Sequence, residues 1–130
     1  MSRRRLTRCA RAAAVVVAGA LTLVGCGSGG DTAVVKREAA TTAADFSYVI
    51  PEGTGDRIDR GEPVDIIPAD IAARVGQVIR IVNEDTRGHL VGPFFVGRGE
   101  TLTQRFSAPG TLRGACSVHP SGTITVTVRA

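Results

Sequence analysis

From Asp45 to the C-terminus the chain alternates apolar and polar residues with the two-residue period of β-strands. Residues 123–128 alternate without a fault, so Ile124, Val126 and Val128 share one face and three threonines the other. Residues 101–106 place Leu102 and Phe106 inward by the same rule, and residues 78–82 are rich in β-branched side chains. Shorter strands are expected over 46–50, 64–67 and 91–96, and a weaker one over 111–115. Turn chemistry separates them at Pro51-Glu52-Gly53, Asn83-Glu84-Asp85, Gly97-Arg98-Gly99 and Ala108-Pro109-Gly110. Six or seven short strands without a long helical period predict an all-β sandwich or small barrel.

The N-terminal pattern is different. Arg3, Arg4, Arg5, Arg8 and Arg11 precede an uncharged stretch at 12–24, which is followed by Gly25, Cys26 and the polar run Gly27-Ser28-Gly29-Gly30-Asp31. A basic start, a short apolar stretch and small residues at its end read as a secretory signal. The stretch is too short to cross a bilayer core of roughly 30 Å as a helix. Leu23-Val24-Gly25-Cys26 resembles the bacterial lipobox, which implies a signal peptide over 1–25 and a lipidated Cys26 at the start of the mature chain. Acyl chains there would anchor the protein to membrane lipid on the outer face of the cell membrane. Ser2-Arg3-Arg4-Arg5-Leu6 also resembles a weak twin-arginine signal, so the export route stays open. Residues 27–42 are Gly, Ser, Ala and Thr with scattered charge; they are expected to act as a mobile tether, with a marginal helix over 33–44. The domain layout expected is therefore signal peptide 1–25, lipidated Cys and tether 26–44, and folded domain 45–130.

Composition sharpens this division. The 130 residues carry 16 Lys+Arg against 12 Asp+Glu, a formal charge of +4. Five of those basic residues lie in the leader; without them 11 face 12 acids, a net charge of −1. The length excludes a multidomain enzyme, and a near-neutral mature chain without a basic stripe excludes nucleic acid as a partner. A monomer is expected, and no enzyme activity: Cys116 as a nucleophile with His89 or His119 as base would lack both an oxyanion motif and a substrate cleft.

The candidate chemistry sits in one stretch. Both histidines, His89 and His119, lie within 31 residues of sequence that also hold Cys116. The strand order can carry all three to one pole: up to His89, down through Phe106, around Pro109-Gly110 and up to Cys116. Two imidazoles and one thiolate form a trigonal set suited to copper. The alternative is an inert buried cysteine with two unrelated histidines.

The stretch from Gly76 through Val82-Asn83-Glu84-Asp85-Thr86-Arg87-Gly88-His89 resembles the cupredoxin pattern in which a Gly-led strand runs into N-x-D and the first His ligand. Pro109-Gly110 and Cys116-Ser117-Val118-His119-Pro120 resemble its second half, and residues 122–126 its closing strand. The similarity covers roughly residues 45–130 and implies a Greek-key β-sandwich holding one copper ion that cycles between Cu(I) and Cu(II). It implies His89, Cys116 and His119 as metal ligands, with Asn83 and Asp85 steadying the loop that carries His89. Cys26 being lipidated by the other resemblance, Cys116 is then the one free thiol of the mature chain.

The pattern breaks at the axial ligand. Many cupredoxins place a Met shortly after the second His, where this chain reads Pro120-Ser121-Gly122-Thr123-Ile124, and its single Met is Met1. Any axial contact must come from a carbonyl, a Gln, the Ser121 hydroxyl or water. The expected function is a membrane-anchored, extracytoplasmic one-electron carrier with an unidentified redox partner. The alternatives are copper sequestration or delivery without redox turnover, and a cupredoxin-like module whose site is vestigial.

Overall fold

In the computed structural model the described residues are 33–130; the signal peptide, the lipobox and Cys26 lie outside them. In chain order the elements are β1 (Val35–Arg37), β2 (Phe46–Ile50), α1 (Thr54–Asp59), β3 (Asp70–Arg74), β4 (Val78–Asn83), β5 (His89–Val91), β6 (Phe94–Val96), β7 (Thr101–Phe106), β8 (Gly110–Ala115) and β9 (Thr123–Arg129). The all-β architecture expected from the alternation is the one observed.

One sheet has the order β1-β7-β4-β2, the other β3-β9-β8, and both mix parallel with antiparallel pairs. The β5–β6 hairpin continues the second sheet: Val91 bridges Cys116, Gly92 N–H donates to Ala115 O at 2.7 Å and Ser117 N–H to Leu90 O at 2.9 Å. The inward residues of both sheets form one core around Phe106, Ile79, Ile81, Ile124 and Val126. Alternation explains it, since each strand turns every second side chain to the facing sheet.

Besides β3, which answers to no expected strand, four features depart from the expectation. Residues 64–67 form no strand; Val64 and Ile67 are buried, yet the segment only crosses the core, held by Ile66 N–H on Val118 O at 3.0 Å. Residues 91–96 are not one strand, because Gly92, at φ +61°, and Pro93 turn the chain between β5 and β6. Residues 33–44 carry no helix. Instead β1 pairs with β7, opposing Val35 to Phe106, and Ala33 is buried, so chain expected to be tether joins the sheet. The fourth is α1, a single short helix with no expected counterpart.

β4 and β8 both run toward one pole of the sandwich. Val82 pairs with Thr101 and Ala115 with Thr123 at that end, while Val78 pairs with Arg105 and Gly110 with Val128 at the other. The chain beyond β4 and beyond β8 therefore arrives at the same end, bringing His89, Cys116 and His119 there.

Candidate metal centre

Three residues between β4 and β5 build the first half of the site. Asn83, 1% exposed, ends β4 and turns its amide into the loop: Nδ2 donates to Arg87 O at 2.7 Å, Gly97 O at 3.0 Å and Val96 O at 3.1 Å, while Oδ1 accepts Asp85 N–H at 3.0 Å. One side chain thus ties the β4–β5 loop to the β6–β7 turn.

Asp85 is equally buried, and its carboxylate is saturated. Oδ1 accepts Thr86 N–H at 2.8 Å and Gly53 N–H at 3.1 Å; Oδ2 accepts Gly55 N–H at 2.8 Å and sits 2.7 Å from His89 Nε2. Burial opposes its ionisation, but the hydrogen bonds from His89, Gly55, Thr86 and Gly53 outweigh burial and hold the carboxyl below its ordinary value. Gly53 and Gly55 belong to the start of α1, which Arg87 clamps from outside through Asp59 at 2.6 Å and Asp56 at 2.8 Å. The short helix closes this cradle, and its Ile58 packs against the core.

His89 opens β5 and is 3% exposed. Its Nε2 faces Asp85, and its Nδ1 lies 3.2 Å from Ser117 Oγ, the residue after Cys116. An ionised carboxylate only accepts, so Nε2 carries a hydrogen and donates it to Asp85. Exposed Phe95 lies over Gly88, so close that a Cβ there would meet its ring at 2.3 Å; Leu90 opposes Phe95 across the hairpin.

The second half of the site follows β8. Cys116 is 2% exposed and faces the core, its thiol pushed up by burial and partly relieved by the Val118 backbone N–H. Ser117, next along the strand, points to the opposite side, toward His89. His119 is bound into its own turn: its Nδ1 accepts Ser121 N–H at 3.0 Å and lies 2.8 Å from Ser121 Oγ, while Nε2 is 3.8 Å from Asp65 Oδ1. Ser121 is exposed, its hydroxyl 3.0 Å from Thr123 O, so it caps the turn.

The structure thus brings His89, Cys116 and His119 to one pole with Ser117 between the histidines: Ser117 lines one shallow pocket with His89 and another with His119. It does not gather their donor atoms. Among the described residues no three His, Cys, Asp or Glu side chains lie close enough together to hold a metal ion. Ser117 and the Gly53–Gly55 cradle carry no sequence signal. Ser117 earns its place only through strand pairing with Leu90, and the cradle lies 30 and 32 residues upstream of Asp85.

No model of a known protein family matches the chain, and no curated protein matches it. Among solved structures the chain is similar to a purple cupredoxin from Nitrosopumilus maritimus, at 24% identity over 65% of this chain and 99% of that one, with a TM-score of 0.42. It is similar also to the reduced Cu(I) form of a proline-to-glycine variant of amicyanin, at 18% identity over 76% of this chain and 100% of that one, with a TM-score of 0.44. A methionine-to-alanine variant of amicyanin in its Cu(I) form matches at 17% identity with the same coverage and TM-score.

Proposed function

We propose that the protein is a copper-binding lipoprotein, exported and anchored to the outer face of the cell membrane through Cys26, that carries single electrons. His89, Cys116 and His119 are its copper ligands, and no Met of the mature chain supplies an axial one. The observation that carries this reading is His89: a buried imidazole whose Nε2 is held by a buried carboxylate and whose Nδ1 faces Ser117 Oγ, the residue after Cys116. Outer-shell carboxylates of this kind orient metal-binding histidines and raise their basicity.

The donor set fits copper in kind, two imidazoles and a thiolate, and the bound ion would supply a Cu(I)/Cu(II) couple. The competing groups are visible in the fold. The Cys116 thiol must lose its proton, and the lone pair of His119 Nδ1 must leave Ser121 N–H. Asp85 meanwhile holds His89 in place, and the core behind Cys116 excludes water from the sulfur.

A second reading, copper storage or delivery without redox turnover, is favoured by the engagement of His119 with Ser121, since a ligand that must be released to bind suits exchange of the ion. The test is to add Cu(II) to the full chain in detergent and record visible absorption and EPR for wild type and Cys116→Ser. An intense thiolate-to-copper band, absent in the variant, is the expected result; no copper uptake by the wild type overturns the proposal. Reversible voltammetry then distinguishes electron carrier from copper carrier.

A further inference from the structure

The near-neutral charge of the mature chain conceals a separation between the two poles of the sandwich. Residues 51–65 and 84–88, at the pole of His89, hold seven acids against three arginines, Arg57, Arg60 and Arg87, each ion-paired with one or two of those acids. The opposite pole, where β1 begins and β9 ends, carries Lys36, Arg74, Arg105 and Arg129. Its acidic side chains are already engaged: Glu38 Oε1 accepts from Arg105 Nε at 2.9 Å, and Asp45 Oδ2 accepts Val78 N–H at 2.8 Å. Arg74 and Arg129 are exposed and stand side by side, paired in register at the ends of β3 and β9. Among the described residues neither is in an ion pair, although the C-terminal carboxylate follows Arg129. Like charges directly opposite each other destabilise a sheet, so an external anion would relieve this pair. The two arginines line one shallow cleft with Phe46 and Gln77. Beside the cleft Val75 and Val34 are 41% and 55% exposed, and both flank the end of β7, where Gly76 N–H donates to Phe106 O and Ser107 N–H to Val34 O.

We propose that this pole is a membrane-contact surface: the Arg74–Arg129 cleft takes the phosphates of anionic phospholipid headgroups, and Val34 and Val75 enter the headgroup layer beside them. A guanidinium offers phosphate oxygens two parallel N–H groups, and two such forks side by side suit a surface crowded with phosphodiesters. An anionic bilayer attracts basic residues, and apolar side chains among them add a burial that a free anion does not offer. The occupant follows from where the chain enters the domain. Ala33 is buried at this pole and Cys26 lies seven positions before it, so the acyl anchor of the proposed reading delivers the basic face to the bilayer and keeps the acidic one away. Delivery to the bilayer rests on that reading; recognition of headgroups by the cleft does not.

The chain has no Trp, so Val75→Trp places a single reporter at this pole. The mature lipidated protein carrying it is reconstituted into vesicles of phosphatidylcholine, with or without one part in three of phosphatidylglycerol, and with brominated acyl chains as the quencher. The expected result is quenching that requires phosphatidylglycerol and is lost in about 1 M NaCl, where charges are screened beyond about 3 Å. Phe95→Trp, at the other pole, is expected to stay unquenched. Arg74→Gln and Arg129→Gln, each combined with Val75→Trp, are expected to lower the ratio of docked to undocked protein about 5-fold apiece. Neither should lower Tm, since each removes one of two opposed like charges. Equal quenching in both vesicles, or quenching that both substitutions leave unchanged, overturns the proposal. Reversal by inorganic phosphate at constant ionic strength also overturns it, by making the cleft a site for the free ion. Should the mature chain carry no lipid at Cys26, the same chain is sedimented with the two vesicles. Binding to the anionic one alone then supports the cleft and overturns only the anchor, whereas binding to neither overturns both.

Discussion

Asn83 fixes this pole through four side-chain hydrogen bonds. Its amide serves three backbone carbonyls, Arg87, Val96 and Gly97, and its oxygen takes Asp85 N–H; the bonds to Val96 and from Asp85 are buried, the other two half-buried. Asn83→Ala strands these groups, and each buried polar group left unpaired costs about 1–3 kcal/mol. The expected loss is about 3 kcal/mol, read as a fall in Tm of roughly 10 °C or more, with the β4–β5 loop and the Asp85–His89 pair loosened together. Asn83→Asp should be worse, since a carboxylate would face three carbonyl oxygens; an Asp variant as stable as wild type would refute this account. In the sequence Asn83 and Asp85 are visible as turn formers and as part of an N-x-D motif, which marks the loop. What they bind is not visible, because Asp85 draws Gly53 and Gly55 from the start of α1 and Asn83 draws Val96 and Gly97 from the end of β6 and the turn after it. Cys116 and His119 were legible as neighbours in sequence, but their aim depends on the bridge between Cys116 and Val91 beyond β8 and on Ser121, and neither is a matter of spacing.

At the scale of elements, long alternating strands were readable and short ones were not. β9, β7 and β4 carry their own apolar face, whereas β1 has three residues and depends on β7 to exist as a strand. β3 buries only Ile71 and Ala73, an alternation too faint to stand out. The apolar run at 64–67 misled for the opposite reason: burial without a ladder looks the same as a strand when only side-chain character is read. The hairpin that presents His89 reaches β8 through two glycines. A Cβ on Gly114 would lie 2.6–2.8 Å from the backbone of Gly92, and one on Gly92 would lie 2.9 Å from Ile124 Cγ2 at a backbone angle of φ +61°. Neither neighbour is the free end of a flexible side chain. Gly114→Ala is therefore expected to push β5 off β8, destabilising the domain by about 1–3 kcal/mol and lengthening the Ser117–His89 contact. Native-state hydrogen exchange should show it first, as faster exchange at Gly92 N–H and Ser117 N–H, the amides that join hairpin to sheet. Retained protection there would mean that the two glycines are not what allows the approach.

On the scale of the whole domain, the two poles differ in what they expose. Residues 33 and 34 enter the sheet beside the turn after β7: Ser107 N–H donates to Val34 O at 2.8 Å, Ala108 N–H to the same oxygen at 3.3 Å, and Gly76 N–H to Phe106 O at 2.7 Å. Val34 and Val75 are exposed at this pole, and Arg74 and Arg129 oppose each other in register at the same end of β3 and β9. His89, Cys116 and His119 occupy the other pole. If Cys26 is the lipid anchor, six residues separate it from Ala33, and the seven Cα–Cα steps between them span at most about 25 Å. On the proposed reading the anchored end is then held near the bilayer while the pole that carries His89, Cys116 and His119 turns away from it, with Leu90 and Phe95 exposed beside His89. On vesicles carrying the lipidated protein, a spin label at Val75→Cys should be relaxed strongly by a paramagnetic chelate attached to lipid headgroups, and one at Phe95→Cys much less. Equal relaxation at both positions would show that the domain tumbles freely on its tether, and stronger relaxation at position 95 would place the pole that carries His89 against the membrane instead.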